Sequence, residues 1–314
     1  MSADPQATHS KEAAILESAA AQGEEPGANA RAHGAADSGA GAGGPKAGPP
    51  PLPVATDAEL WVDAGVVGAG SVAIALFAHR LPLMTALVPA LFALRMALWW
   101  RASRPRSAPV AAELLLLAIC TALGAFNDWN SVVRQRVYDY TVPVYFPELS
   151  TIPIWMLLFW GLVLRLMLTV ASSGRLGATA APRNLVRLGA RLGANAALRV
   201  GLMLLLLLGT RQAIYRFSLD PFLSWLPFAG ALALFPFLFG LDRHELRILG
   251  VTLVAGPLVE ILYIQVAGLH RYRLGWLGGV PLWILLWWLL ALLLWKDIGR
   301  RMQARLESWL GGRP

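Results

Sequence analysis

From residue 58 onward, apolar residues come in blocks, separated by short stretches rich in arginine, proline and glycine. The blocks cover approximately 58–78, 82–100, 109–128, 151–172, 197–215, 221–240, 246–268 and 279–297. Each is close to the roughly 20 residues an α-helix needs to cross the hydrocarbon core of a bilayer. The pattern therefore predicts an all-α, polytopic membrane helix bundle of about eight transmembrane helices. The third helix should run on toward Val137, because "NDWNSVVRQRV" contains no glycine or proline to stop it. Before residue 58 the pattern is absent. Residues 1–57 are Ala/Gly/Pro-rich with no aromatic residue before Trp61. Such a segment buries too little surface to offset its ordering entropy, so a disordered tail is expected. It has no basic stretch leading directly into an apolar one, so it does not read as a signal peptide.

Composition supports this reading. The chain is 56% hydrophobic with a mean hydropathy of +0.54, and its 13 tryptophans suit rings anchored at membrane–water boundaries. Charge is divided unevenly. Residues 1–57 hold three basic and seven acidic side chains, a net of −4, which leaves +12 for the rest. That remainder is almost all arginine, with Lys296 its only lysine. The arginines flank apolar blocks, so lipid headgroups and topology explain them better than nucleic acid does. With the N-terminus cytoplasmic, the inner segments carry thirteen basic residues: Arg101, Arg104, Arg106, Arg175, Arg183, Arg187, Arg191, Arg243, Arg247, Lys296, Arg300, Arg301 and Arg305. The outer ones carry six: Arg80, Arg134, Arg136, Arg216, Arg271 and Arg273. This bias favours both termini in the cytoplasm of a bacterial inner membrane. Arg183, Arg187 and Arg191 recur every four residues, as on an interfacial amphipathic helix. The single cysteine, Cys120, excludes an intrachain disulfide and a cysteine-rich metal site, and it lies within an apolar run.

The chain also resembles itself. "IPIWMLLFW" at 152–160 aligns with "VPLWILLWW" at 280–288, with five of nine positions identical. Upstream, an acid precedes a tyrosine by twelve positions in each copy, Asp128 before Tyr140 and Glu260 before Tyr272. Two residues before each tyrosine stand Tyr138 and His270. A repeat of four helices predicts two parallel halves, 58–172 and 197–298, joined by a basic loop at 173–196 and followed by a basic tail at 299–314. The axis relating them lies along the membrane normal, and sites often form at such repeat interfaces.

Ionisable residues inside apolar blocks cost roughly 2.5–3.5 kcal/mol each at mid-membrane, so each needs an explanation. Asp63 lies near a helix start and should meet headgroups. Arg211 lies near an end and should snorkel. Arg95 and Glu113, on adjacent helices, should pair, while Arg165 has no evident mate in its own helix. Glu260, in "GPLVEILYIQVAG", has no adjacent base. Burial disfavours the charged form of a carboxyl, so Glu260 is the leading candidate for a proton donor, with Asp128 its counterpart. Tyr263 follows Glu260 by one turn and should share its face. His270, Tyr272 and Tyr140 on the bends, and Trp155, Trp283 and Trp287 in the aromatic stripes, are candidate substrate-binding residues. Packing and interfacial anchoring explain each of these as well.

Several chemistries fail on inventory. His79, His244 and His270 are too scattered for an H-E-x-x-H zinc site, and no G-x-x-x-x-G-K-[ST] phosphate loop occurs. No metal or other cofactor is expected.

The order of acid, Tyr-rich bend and "LGWLGGVPLWILLWW" resembles the membrane family of carotenoid-biosynthesis proteins that includes carotenoid hydratases. The resemblance covers about residues 256–290, with a fainter echo at 124–161. It implies a multi-pass fold and proton-initiated addition of water to isoprenoid ends, with the bilayer and an apolar lipid or isoprenoid as partners. The family commonly has Tyr-x-Tyr at the bend, and His270-Arg-Tyr272 departs from it. Acid catalysis on such a substrate competes with two other readings, a proton-coupled small-solute transporter and a non-catalytic membrane anchor or assembly protein. Few Asn, Ser or Thr residues in the spans speak against the transporter.

Overall fold

The computed structural model describes residues 52–178 and 196–311. Nearly all of the expected tail and the amphipathic helix at 183–191 lie outside these residues. Among the described residues eight α-helices follow in order: α1 (Asp57–Phe77), α2 (Leu81–Ala102), α3 (Val110–Trp129), α4 (Ile154–Ala171), α5 (Ala196–Phe217), α6 (Leu226–Phe239), α7 (Arg243–Ile261) and α8 (Leu282–Leu310). Seven are long and apolar enough to cross a membrane. The chain is a multi-pass helical protein of membrane type.

Three boundaries differ from the sequence reading. Block 221–240 yields only the 14-residue α6, about 21 Å long at 1.5 Å per residue and short of a full span. Its first residues form a turn held by the Asp220 carboxylate, which accepts from the N–H groups of Phe222 and Leu223 at 2.8 and 2.7 Å. The helix begins only at Leu226, with Pro227 in its first turn, where a missing N–H costs nothing. At the other end, the expected basic tail from 299 is helix to Leu310. Met302 and Leu306, one turn apart, pack on Leu116, Cys120 and Leu168, and this apolar stripe carries α8 past its last full block. The third difference is a small antiparallel ribbon, β1 (Tyr138–Tyr140) against β2 (His270–Tyr272), in register Tyr138 to Tyr272, Asp139 to Arg271 and Tyr140 to His270.

The internal repeat is visible in the backbone. As expected, α3 continues through Arg134, by way of a π-helical turn at Asn130–Arg134. α7 continues through the matching turn at Leu262–Val266. Gln135 N–H donates to Asn130 O and Ala267 N–H to Leu262 O, both at 3.0 Å. Val137 N–H donates to Ser131 O and Leu269 N–H to Tyr263 O, both at 2.8 Å. Arg136 and Gly268 occupy the same step and share the left-handed conformation, at φ 51° and 53°. Glycine adopts that conformation freely; arginine does so at a cost. Because one ribbon joins both bends, both acids lie at the same end of the bundle, as parallel halves require.

The first half is held by charge and by close approach. Asp63, Arg95, Glu113 and Arg165 come from α1, α2, α3 and α4, and none is more than 2% exposed. Arg95 Nε lies 2.8 Å from Asp63 Oδ1, and Arg165 Nε lies 2.8 Å from Glu113 Oε1. Arg95 also pairs with Glu113, as expected, and Arg165 donates to Thr169. Asp63 therefore does not meet headgroups, and Arg165 finds its mates on neighbouring helices. Two cations and two anions sum to zero, which is what makes the cluster tolerable in an apolar interior. Beside it, α3 and α4 pack backbone to backbone. A Cβ on Gly161 would stand 2.0 Å from Thr121 Oγ1, and one on Gly124 2.6 Å from Trp160 Cβ.

Removing one partner of such a cluster leaves an uncompensated buried charge. Glu113→Gln is expected to destabilise the protein by about 3–5 kcal/mol, read as a large fall in the thermal unfolding midpoint in detergent. Glu148→Gln, at an exposed loop position, should leave the midpoint unchanged. Equal midpoints for the two variants would refute a structural role for the cluster.

Candidate functional site

The ribbon alternates as a strand must. Tyr138 and Tyr140 turn toward Asp128, and His270 and Tyr272 toward Glu260. The Tyr140 hydroxyl donates to Asp128 Oδ2 at 2.8 Å, and Tyr138 donates to Oδ1. In the second copy, His270 Nε2 hydrogen-bonds Glu260 Oε2 across 3.1 Å, and Tyr272 donates to the same oxygen at 3.3 Å. Trp288 Nε1 donates to Glu260 Oε1 at 3.2 Å. Both carboxyls are buried, Asp128 at 1% and Glu260 at 3% exposure. Across the ribbon, the Tyr138 ring lies 5.6 Å from His270 and 5.2 Å from Tyr272, so the four rings form one aromatic cluster between the two acids.

The three phenols stay protonated. Burial, and after it the neighbouring carboxyls, push the phenols of Tyr138, Tyr140 and Tyr272 well above the ordinary tyrosine range. They therefore remain hydrogen-bond donors at any ordinary pH. The Nδ1 of His270 is buried without a hydrogen-bond partner among the described residues.

The two acids differ in access. A cavity of about 390 Å³ lies between α3, α4, α5 and α8, within the usual size range of small-molecule sites. Glu260, His270, Tyr272, Tyr140, Trp283 and Trp287 all line it. Asp128 does not; its two tyrosines stand between it and the space. α3 and α5 flank the cavity without packing closely on each other, and Leu123, Phe126, Leu204 and Leu208 on these helices line it while remaining exposed.

Two candidates fall elsewhere. Trp155 is fully buried away from the cavity. Tyr263 does not share the working face of Glu260, because the π-turn that begins at Leu262 rotates it away. Its hydroxyl bonds Ser71 of α1 at 2.8 Å. Its counterpart in the first copy is Ser131, which is too small to reach its neighbour and is met by Arg211 of α5 instead. The repeat thus has one interface sealed by Tyr263 and one left open as the cavity.

Sequence reasoning missed three residues. Trp288 and Trp160 form a ring pair with centroids 5.8 Å apart, and both line the cavity. Their identity in the aligned repeat is the available signal. Arg211 does not snorkel. It is 7% exposed, lines the cavity, and stacks 4.7 Å from the Trp287 ring centroid. Its place on a helix beside the repeat interface explains this, and no local pattern gives that.

Compared with known proteins, the chain matches no family model, no curated protein and no solved structure.

The phenols give a pH test. A folded-state pKa above the unfolded value of about 10 means that the folded chain holds more protons above that pH. Stability conferred by these tyrosines is complete below pH ~10 and falls as pH rises beyond it. In an alkaline titration followed by phenolate absorbance, Tyr138, Tyr140 and Tyr272 should stay silent until the protein unfolds. The triple phenylalanine variant should lack that late amplitude. Early titration of all six tyrosines in the folded protein would contradict the assignment.

Proposed function

We propose that this protein is a membrane enzyme that delivers a proton to an apolar, isoprenoid-type substrate, with Glu260 as the acid. The supporting observation is the position of Glu260: a buried carboxyl on the wall of an apolar cavity, fixed by His270, Tyr272 and Trp288. Three hydrogen bonds hold its orientation, and the aromatic faces of Trp283, Trp287 and Trp288 line the same space. A proton passes from the Glu260–His270 pair to one carbon of a carbon–carbon double bond. The cation formed at the other carbon is stabilised by the facing rings. Water then bonds to that carbon, and its surplus proton returns to the carboxylate. The net reaction is hydration of an alkene, with no oxidant or cofactor consumed. Asp128, held behind Tyr138 and Tyr140, orients the ribbon rather than touching substrate. This is the chemistry implied by the carotenoid hydratase-like resemblance around residues 256–290.

The same reading puts the chain in a bacterial inner membrane with both termini cytoplasmic. A reporter active only in the cytoplasm should be active when fused after Pro314, and inactivity there would reverse the orientation.

The decisive comparison is the lipid and pigment profile of cells carrying wild type, a deletion, and Glu260→Gln at equal expression. An alkene precursor should accumulate in both mutants and its hydrated product should disappear. Loss of the precursor in Glu260→Gln cells, or identical profiles in all three, would sink the acid-catalysis reading.

A further inference from the structure

Arg211 is out of keeping with the buried arginines of the first half. Arg95 and Arg165 are each matched to carboxylates, and the partly buried Arg199 pairs with Asp297. Arg211 is also buried, at 7% exposure, yet it pairs with no carboxylate among the described residues. Its Nε donates to the Tyr215 hydroxyl at 3.2 Å, and its Nη2 donates to Ser131 Oγ. Both acceptors are neutral. Its charge rests on ring faces, with Trp287 at 4.7 Å and Tyr215 at 5.1 Å from the guanidinium carbon. Burying a permanent charge among hydrocarbon without a counter-charge is costly. Cation–π contacts return only part of that cost, about 0.5–2 kcal/mol each.

The surroundings are prepared for a polar atom. Asn130 Nδ2 donates to the same Tyr215 hydroxyl at 2.7 Å, and Asn127 and Gln212 also line the cavity. These amides stand out in a wall formed largely of leucine, tryptophan and tyrosine. The symmetry-related position carries no such group, because there Tyr263 meets Ser71. The charge therefore belongs to the open interface alone.

We propose that Arg211 is a binding residue for an oxyanion, a carboxylate or phosphate, carried on the end of a single apolar chain that fills the cavity. A guanidinium presents a fork of donors matched to two oxygens, and the apolar wall takes the chain. The ligand is then an amphiphile whose charged end sits at Arg211 and whose chain runs along the indoles. The inference uses the cavity assigned above but not the proton transfer, so binding and turnover can fail separately.

The test is equilibrium binding to the purified full-length protein in phosphatidylcholine nanodiscs. The probes are geranylgeranoic acid, geranylgeranyl phosphate, geranylgeraniol and inorganic phosphate. Wild type should bind the acid and the phosphate ester at least about tenfold more tightly than the alcohol, the ratio that one charge-assisted hydrogen bond sustains. Inorganic phosphate should not compete. Arg211→Gln should bind all three chains alike, Arg211→Lys should keep part of the preference, and Glu260→Gln should keep all of it. Wild-type discs made with phosphatidylglycerol should preserve the preference. Its loss there would assign the site to bilayer phosphate and overturn the proposal. Equal affinity of wild type for acid and alcohol, no binding of the acid, competition by inorganic phosphate, or an unchanged preference in Arg211→Gln would each overturn it too. The wild-type comparison stands even if a variant does not fold.

Discussion

The pairing of Tyr138–Tyr140 with His270–Tyr272 is the contact on which the arrangement of the two halves depends. Backbone polar groups must find partners when water is excluded, and each bend alone would leave some unsatisfied. Joined, they satisfy each other and bring two distant carboxyls under one set of rings. The π-turns serve the same end. Each widens its helix by one residue just after the acid, so that the chain leaves the helix at the angle the ribbon needs.

Symmetry of this kind would by itself give two equivalent interfaces. Side chains break it. A large residue, Tyr263, closes one interface by reaching Ser71, while the small Ser131 leaves room at the other. The exchange of Tyr138 for His270 breaks it again, giving only Glu260 an imidazole hydrogen-bond partner among the described residues. The first half carries the four-charge cluster and the glycine-tight helix pair, so rigidity is concentrated there. In the second half α5 rests mainly on α6 and α8. The cavity thus lies between a stiff wall and a lightly supported one.

Much of this was legible in the sequence, for identifiable reasons. Helices announce themselves by length when the surrounding solvent is hydrocarbon. The acids stood out because charge is costly there, and the repeat stood out because proline and tryptophan are hard to align by accident. The short ribbon is not legible in the sequence, although Tyr-Asp-Tyr and His-Arg-Tyr alternate in the way strands do. Three residues are too few for a periodic pattern to register. Asp63 is misplaced by the sequence reading, and the mates of Arg165 are not named by it, because the partners of both are on other helices and helix adjacency is not written in local spacing. Tyr263 was misplaced by an inserted π-turn, which shifts every later residue off the face that α-helical counting assigns. Arg211 was misjudged for the same reason as Asp63.

The mouth between α3 and α5 has a kinetic consequence. Its rim residues, Leu123, Phe126, Leu204 and Leu208, are apolar and exposed, so in a bilayer the passage faces acyl chains rather than water. A molecule reaching it travels by two-dimensional diffusion within a leaflet. Its occupancy would then follow its mole fraction among lipids, not its aqueous concentration. Diluting the same number of protein and ligand molecules into more membrane would lower occupancy even though no affinity had changed.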